Sequence, residues 1–424
     1  ELMITLSTGV FILPFFLFSA TAGQIAEKLE KSRLIRITTT MEIVIMSVAA
    51  VGFLLQNMPL LLVALFGTGV QSALFGPVKY SILPSVLKPE ELTGGNGLVE
   101  MGTSVSILMG MIVGGMIFKL AGSYGPETAA VAIVLLAIAG NAASRLVPTV
   151  DAGAPELKVH INPIPESRRV MALARKQLAV RNAMLGVSWF WFIGTALTAQ
   201  LPNYAQKYLG GDETLYLFAL GVFSIGTGIG SLLCEKLSAR TVEIGLVPLG
   251  AFGMSFFLFD LYFARSGAAV VTGLDIAGFL HQAGSWRVSL DLFGVGMFAG
   301  FFLVPLFALI QSRTPKQELS RVISGVNIQN AFFIVLAAVL GIALQMEQFT
   351  IGSTTIRMPG LGIPQLFLCL AIANTLVAIW IFTIVPEFLM RFVSWLIVRA
   401  LYRLQLHGIE KHVPDEGPAL IVCN

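Results

Sequence analysis

Long apolar stretches recur along the whole chain, at 3–26, 34–56, 58–83, 97–121, 127–147, 182–206, 214–235, 241–264, 287–312, 322–346 and 363–386. A helix needs about 20 mostly apolar residues to cross the hydrocarbon of a bilayer. These eleven stretches are long enough, and they are not the short alternating segments of a membrane β-barrel. The pattern therefore predicts an all-α polytopic membrane protein of eleven spans. Most of the joining segments are short. One, 148–181, is long and polar, and it divides the spans into five and six.

Composition agrees with this reading. Of 424 residues, 56% are hydrophobic and 12% charged, against about 25% charged in a soluble domain. The net charge of +3 matters less than where the charges sit. Seventeen lysines and arginines fall in the loops around 27–36, 84–96, 145–181, 236–240 and 313–321, and five in the loops of the other side. Basic loops tend to stay in the cytoplasm, so the central linker and the C-terminal end are expected there. Cys234, Cys369 and Cys423 are far apart, and His160, His281, His407 and His412 show no ligand spacing. Neither a disulfide framework nor a metal site is indicated, and no cofactor or nucleic-acid partner is expected. The glycines of Gly110–Gly115 and Gly226–Ser231 lie within spans and no lysine follows them, so they read as helix-packing faces and not as phosphate loops.

The two groups of spans echo each other. Gly23–Arg33 reads GQIAEKLEKSR and Gly230–Arg240 reads GSLLCEKLSAR, with Glu27 and Glu235 208 positions apart. A second echo pairs GGNGLVEMG at Gly94 with SGVNIQNAF at Ser324, which puts Asn330 where the first half has Glu100. Parallel half-repeats around a central loop are the architecture of a major facilitator transporter. Such a fold has six plus six helices, so a first helix is expected to lie outside this chain. In the first motif Gly23 permits close helix contact. Glu27 can pair with a basic neighbour or face a helix N-terminus, in contacts made in one transport state and broken in the other. Lys28, Arg33, Glu235, Lys236 and Arg240 complete the paired motifs.

The stretches GQIAEKLEKSR, GPVKYSILP, NGLVEMGTSVSILMGMIVGG and GFFLVPLFALIQ resemble the bacterial lysophospholipid transporter family of the major facilitator superfamily. The resemblance covers nearly all of 1–386. It implies alternating access by an N-terminal bundle (1–147) and a C-terminal bundle (182–386), joined by a cytoplasmic linker (148–181), in a bacterial inner membrane. The implied cargo is a lysophospholipid such as lysophosphatidylethanolamine, flipped to the cytoplasmic leaflet for reacylation. Residues 387–406 carry Glu387, Arg391, Arg399 and Arg403 on one half of a helical wheel, which suits a helix lying in the interface. Residues 407–424 resemble the opening of a glycerolipid acyltransferase domain, so a fused acyltransferase is the expected partner. The H-x4-D motif of such domains would follow Asn424, and no catalytic residue is assigned within the chain.

The candidate site residues are polar groups inside spans. Lys79 and Glu100 lie near the same membrane face on consecutive antiparallel spans, where Lys79 can attract a lipid phosphate or snorkel to the headgroups. Glu42 lies about 12 Å into its span by helix rise, as a partner for Lys79 or a protonatable gate. Asn96, Gln311, Asn327, Gln329 and Asn330 bring amides that suit a zwitterionic headgroup or helix–helix hydrogen bonds. Trp191, Gln200 and Tyr204 can line the cavity or anchor span ends. The rival reading is a proton-coupled efflux carrier for amphipathic drugs, with Glu42 or Glu100 as the proton site. A third is a membrane scaffold for the acyltransferase.

Overall fold

The computed structural model describes residues 2–238, 245–264, 272–351, 354–357 and 359–384, with Met390, Ser394, Ile397, Val398 and Leu401 beyond them. Arg240, nearly all of 387–406 and all of 407–424 lie outside the described residues. Eleven helices are long and apolar enough to cross a membrane. In chain order they are span 1 (Leu2–Lys28), span 2 (Lys31–Leu54), span 3 (Met58–Ser81), span 4 (Leu92–Ala121), span 5 (Gly125–Ser144), span 6 (Leu178–Thr198), span 7 (Glu213–Leu237), span 8 (Leu246–Phe263), span 9 (Ser285–Arg313), span 10 (Leu319–Gln345) and span 11 (Ile363–Ile384). All eleven fall where the apolar pattern places them. Spans 4 and 6 start several residues earlier than the apolar runs do, because helical hydrogen bonding does not stop where the hydrocarbon stops.

Local sequence accounts for the breaks between spans. Glu30 interrupts spans 1 and 2, and its carboxylate accepts from the amides of Ser32 and Arg33 at 2.9 Å each, capping span 2. It also accepts from Val150 N at 3.0 Å, tying the loop to the central linker. Partial burial works against its ionisation, but these donors hold the carboxyl below the usual range. Asn57 caps span 3 through Leu60 N, and Asp212 caps span 7 through Thr214 N.

The linker is not merely a polar connection. Residues Pro163–Ala174 form an amphipathic helix, started by the Asn162 cap and by Pro163 at the first position. Its Val170 packs with Ala20 of span 1 and Ile328 of span 10. Gln24 of span 1 accepts from His160 N at 2.9 Å. The linker thus bridges the two groups of spans on one membrane face, called the linker side below. A short antiparallel hairpin, β1 (Gln348–Ile351) and β2 (Thr354–Arg357), joins spans 10 and 11 on the opposite face.

Spans 1, 2, 3 and 5 pack together and spans 6 to 11 pack together, while span 4 touches span 5 but lies mainly against span 7, so it belongs to the first group by sequence and to the seam between the groups by packing. Span 9 is the centre of the second, with 83% of its apolar window buried. The reason is visible in two pairs of glycines. A Cβ on Gly226 or Gly230 of span 7 would collide with the backbone of Phe293 or Met297 on span 9. One on Gly296 or Gly300 of span 9 would collide with the backbone of Phe223 or Ser231 on span 7. The two helices meet backbone to backbone, as small-residue faces allow in lipid. The expected packing face at Gly110–Gly115 is corrected. Nothing lies within 4 Å of a Cβ at Gly110 or Gly114, and only Leu217 approaches Gly115. That face of span 4 is turned away from the other described elements.

Gly300→Leu is therefore expected to destabilise the purified protein by about 1–3 kcal/mol or more, since neither backbone can give way. Gly114→Leu should stay within about 0.5 kcal/mol of the wild type. Thermal unfolding of both variants in one detergent makes the comparison.

Candidate functional site

The polar contacts that cross directly between the bundles lie, among the described residues, in the linker-side ends of the spans. The first is built on Glu27, which has no exposed surface. Its carboxylate accepts from Arg321 Nε and, at 3.2 Å, from Arg321 N in the first turn of span 10. It therefore meets both a guanidinium and a helix N-terminus. Gly23, one turn earlier, lets span 1 approach closely, for a Cβ there would lie 3.0 Å from Arg321 Cα. Ala154 N of the linker donates to Glu27 O at 2.9 Å. Beside this pair Lys31 is buried, and its Nζ donates to Ser81 O at 2.9 Å. Ser320 Oγ reaches Ser81 Oγ at 2.9 Å across the interface.

In the other half, the Glu235 carboxyl group packs against Gly94, in the first turn of span 4. The two glutamates of the repeat thus face the N-termini of opposite bundles. Only Glu27 has an ion-pair partner among the described residues. At the repeat offset Arg321 corresponds to Glu91, so the second junction lacks the guanidinium. Lys28, Arg33 and Lys236 are exposed. Sequence reasoning placed the basic role on these residues and missed Lys31 and Arg321. Basic residues are common at span ends, and helix direction alone separates those that turn inward.

The second junction surrounds Tyr80. Its ring stacks on Phe307 of span 9 with centroids 4.2 Å apart and planes 4° apart. Its hydroxyl donates to Glu100 Oε1 at 2.5 Å. Lys79 Nζ lies 4.5 Å from the centroid of the same ring and 3.4 Å from Thr103 Oγ1. Lys79 and Glu100 are electrostatic neighbours, yet they form no ion pair within 4.0 Å. Glu100 is answered directly by Tyr80, which leaves the ammonium available beside it. One turn away, Asn96 and Gln311 exchange both amide hydrogen bonds, at 2.6 and 3.0 Å, and Gln311 Nε2 also donates to Tyr80 O at 3.1 Å. Tyr80 was the missed residue here. Its position next to Lys79 was legible, but its ring contact with the opposite bundle was not.

The remaining candidates scatter. Glu42 is not a partner of Lys79: it lies half-buried on span 2 and, among the described residues, forms no hydrogen bond or ion pair. Tyr204 does not line a passage, because it is fully buried in the second bundle against Tyr208 and Phe367. Gln200 sits at the break that follows span 6, with its Oε1 buried and unbonded. Asn330 joins Ser188 of span 6. With its nitrogen toward Ser188 Oγ and Val326 O, its oxygen accepts from Trp191 Nε1 at 3.2 Å. Asn327 points its amide at Gly76 of span 3, across the bundle interface, and Nδ2 finds no hydrogen-bond acceptor. Gln329 Nε2 is likewise buried without a partner.

On the linker side Glu27 and Glu235 are thus each set against the first turn of a helix from the other half of the chain. Residues 1–338 match the Major Facilitator Superfamily. The chain belongs to the Major Facilitator Superfamily. It is a multi-pass membrane transporter of that fold. Among characterised proteins it is similar to the lysophospholipid transporter LplT of Cronobacter sakazakii, 26% identical over 310 residues that cover 72% of this chain and 70% of that protein. LplT of Salmonella typhimurium is 26% identical over the same share of each chain. Among solved structures, the facilitator transporter FucP in its outward conformation covers 90% of the chain and 89% of its own at a TM-score of 0.65 and 13% identity. The human organic anion transporter MFSD10 covers 89% and 82% at a TM-score of 0.68 and 12% identity. At such identities the structures speak for the fold alone.

Removing Arg321 strands a buried carboxylate, which costs about 3–5 kcal/mol when a pair is broken from one side. Arg321→Ala should therefore open the linker side, and Glu27→Gln with Arg321→Ala should restore part of the closure. Maleimide labelling of Ser320→Cys in the three backgrounds reports it. The expected order of rates is Arg321→Ala fastest, the double variant next and the parent slowest.

Proposed function

We propose that this facilitator transporter carries lysophospholipids across a bacterial inner membrane to the cytoplasmic leaflet, by alternating access of its two bundles. The observation that supports this most is the arrangement at Lys79: an ammonium without an ion pair, beside a carboxyl group, at the junction of the bundles. The likeness to the two LplT proteins points the same way. A lysophospholipid such as lysophosphatidylethanolamine has a phosphate for Lys79, an amine for Glu100 and a single acyl chain that prefers an apolar surface. Asn96, Gln311, Asn327 and Asn330 offer amides to the rest of the headgroup.

In this reading the linker side faces the cytoplasm, and the arrangement described above is the one closed to it. Release on that side requires these contacts to part: Glu27 from Arg321, Ser81 from Ser320, Gln311 from Asn96 and from Tyr80 O, and the Tyr80 ring from Phe307. Parting Tyr80 from Phe307 frees the ring that Lys79 and Glu100 share, so headgroup binding and closure compete for the same side chain. Reacylation by the acyltransferase expected to begin at 407–424 would remove the product and pull the cycle forward.

A hydrogen bond to a charged group contributes about 1.5–3 kcal/mol, which corresponds to roughly ten- to a hundredfold in affinity. Lys79→Ala should lower lysophosphatidylethanolamine uptake into proteoliposomes by about that factor at equal protein incorporation, and Lys79→Arg should retain most of it. Uptake by Lys79→Ala equal to the wild type would remove Lys79 from the headgroup site.

A further inference from the structure

Far from the junction, at the opposite ends of the spans, two acids and one arginine meet inside the second bundle. Asp260 lies in the last turn of span 8, and Arg287 and Asp291 in the first two turns of span 9. Arg287 grips Asp260 with two hydrogen bonds, Nε to Oδ2 at 2.9 Å and Nη2 to Oδ1. Asp291 is 1% exposed, its carboxyl group stands within hydrogen-bonding reach of that of Asp260, and its Oδ2 finds no partner.

Charge balance decides what this cluster must hold. Arg287 and Asp260 neutralise each other through both forks of the guanidinium. A second ionised carboxyl at Asp291 would be a buried, uncompensated negative charge beside a like charge, which is among the most expensive arrangements in a protein. A proton on Asp291 removes the charge and supplies the donor for a bond to Asp260. Arg287, whose guanidinium is already engaged by Asp260, is the one cation among the described residues that acts on Asp291. Spans 6, 7 and 8 and the linker-side part of span 4 pack on span 9, and of their charged groups only Asp260 acts on it. Asp275 and His281, which flank the short helix Ile276–Leu280 beside the start of span 9, do not. The route to water is short, because the side chains of Asp260 and Arg287 are 30% and 47% exposed.

We infer that Asp260 and Asp291 form a one-proton binding site at the end of the second bundle opposite the linker, with Arg287 holding Asp260 in place. Asp291 carries the proton while spans 8 and 9 are packed together. It exchanges the proton by way of Asp260 with water on that face, where the side chains of Asp260 and Arg287 are exposed. Span 9 also carries Phe307 and Gln311, the partners of Tyr80 and Asn96. The helix that closes the linker side thus has a proton site some 30 Å away along its axis by helix rise. The site is distinct from Glu42 and Glu100, and its link to lysophospholipid movement rests on the function proposed above.

Infrared difference spectra of the purified protein in lipid, taken across a pH titration, test the site without any substrate. The wild type should show a carboxylic-acid carbonyl band that titrates as a single group. Asp291→Asn, a near-isosteric copy of the protonated acid, should lack it. Asp260→Asn should lack it too, since one carboxylate then remains for one guanidinium. Absence of the band in the wild type, or its persistence in Asp291→Asn, overturns the proposal. Lysophosphatidylethanolamine uptake then reads the coupling: about tenfold per pH unit on the limb set by one proton in the wild type, and flat in Asp291→Asn. An unchanged slope in Asp291→Asn overturns the coupling. A wild type that shows the band but moves no lysophospholipid at any pH upholds the proton site and removes the lipid assignment instead.

Discussion

A carboxylate with no exposed surface must be answered by the protein, and Glu27 is answered from the other bundle. Arg321 supplies a guanidinium and the first turn of span 10 supplies an amide. In the first half Lys31 acts on Glu27 through its charge alone, and no described residue there hydrogen-bonds the carboxylate, so the closed linker side is the condition under which Glu27 is satisfied. The neighbouring contacts follow from that approach. Once Gly23 lets span 1 reach span 10, Ser81 meets Ser320, Asn96 meets Gln311, and Tyr80 lies flat on Phe307. The linker helix reinforces the closure by packing on spans 1 and 10 together. Water entering the interface would compete for each of these bonds at once, which makes the closure switch-like instead of graded.

The halves repeat in sequence but divide the labour. The first bundle carries Lys79 and Glu100 at the junction, while the corresponding part of the second carries amides and aromatic rings. The second junction glutamate, Glu235, packs on Gly94 without the guanidinium that Glu27 has. Loosening of the Glu235 contact is therefore electrostatically cheaper, and the interface is biased to be held at the Glu27 end. The second bundle instead keeps its charge at the far end of span 9, in the Asp260, Asp291 and Arg287 cluster. Spans 7 and 9 are locked together by the glycine contact, and Pro305 stands in span 9 between that cluster and Phe307.

The chain's own pattern determined the number of spans, their order and the long polar segment between the fifth and sixth, because the bilayer is an unforgiving solvent. A stretch long enough and apolar enough to cross has one outcome, and a carboxylate recurring 208 positions on survives as a visible echo. It also marked Lys79, Glu100, Glu27 and Asn96, since polar groups inside spans stand out by type alone. Partnership was not legible. Glu42, Glu100 and Asp291 are all acids within spans, yet one stands apart, one is held by a tyrosine and one faces a second acid. Lys28 and Lys31 are three residues apart, and only the second turns inward. Those outcomes depend on how each helix is rotated about its axis and which bundle it meets. Contacts between residues more than two hundred positions apart set both, through side chains such as Arg321, Phe307 and Gln311 that carry no mark of the pairing in their own neighbourhood.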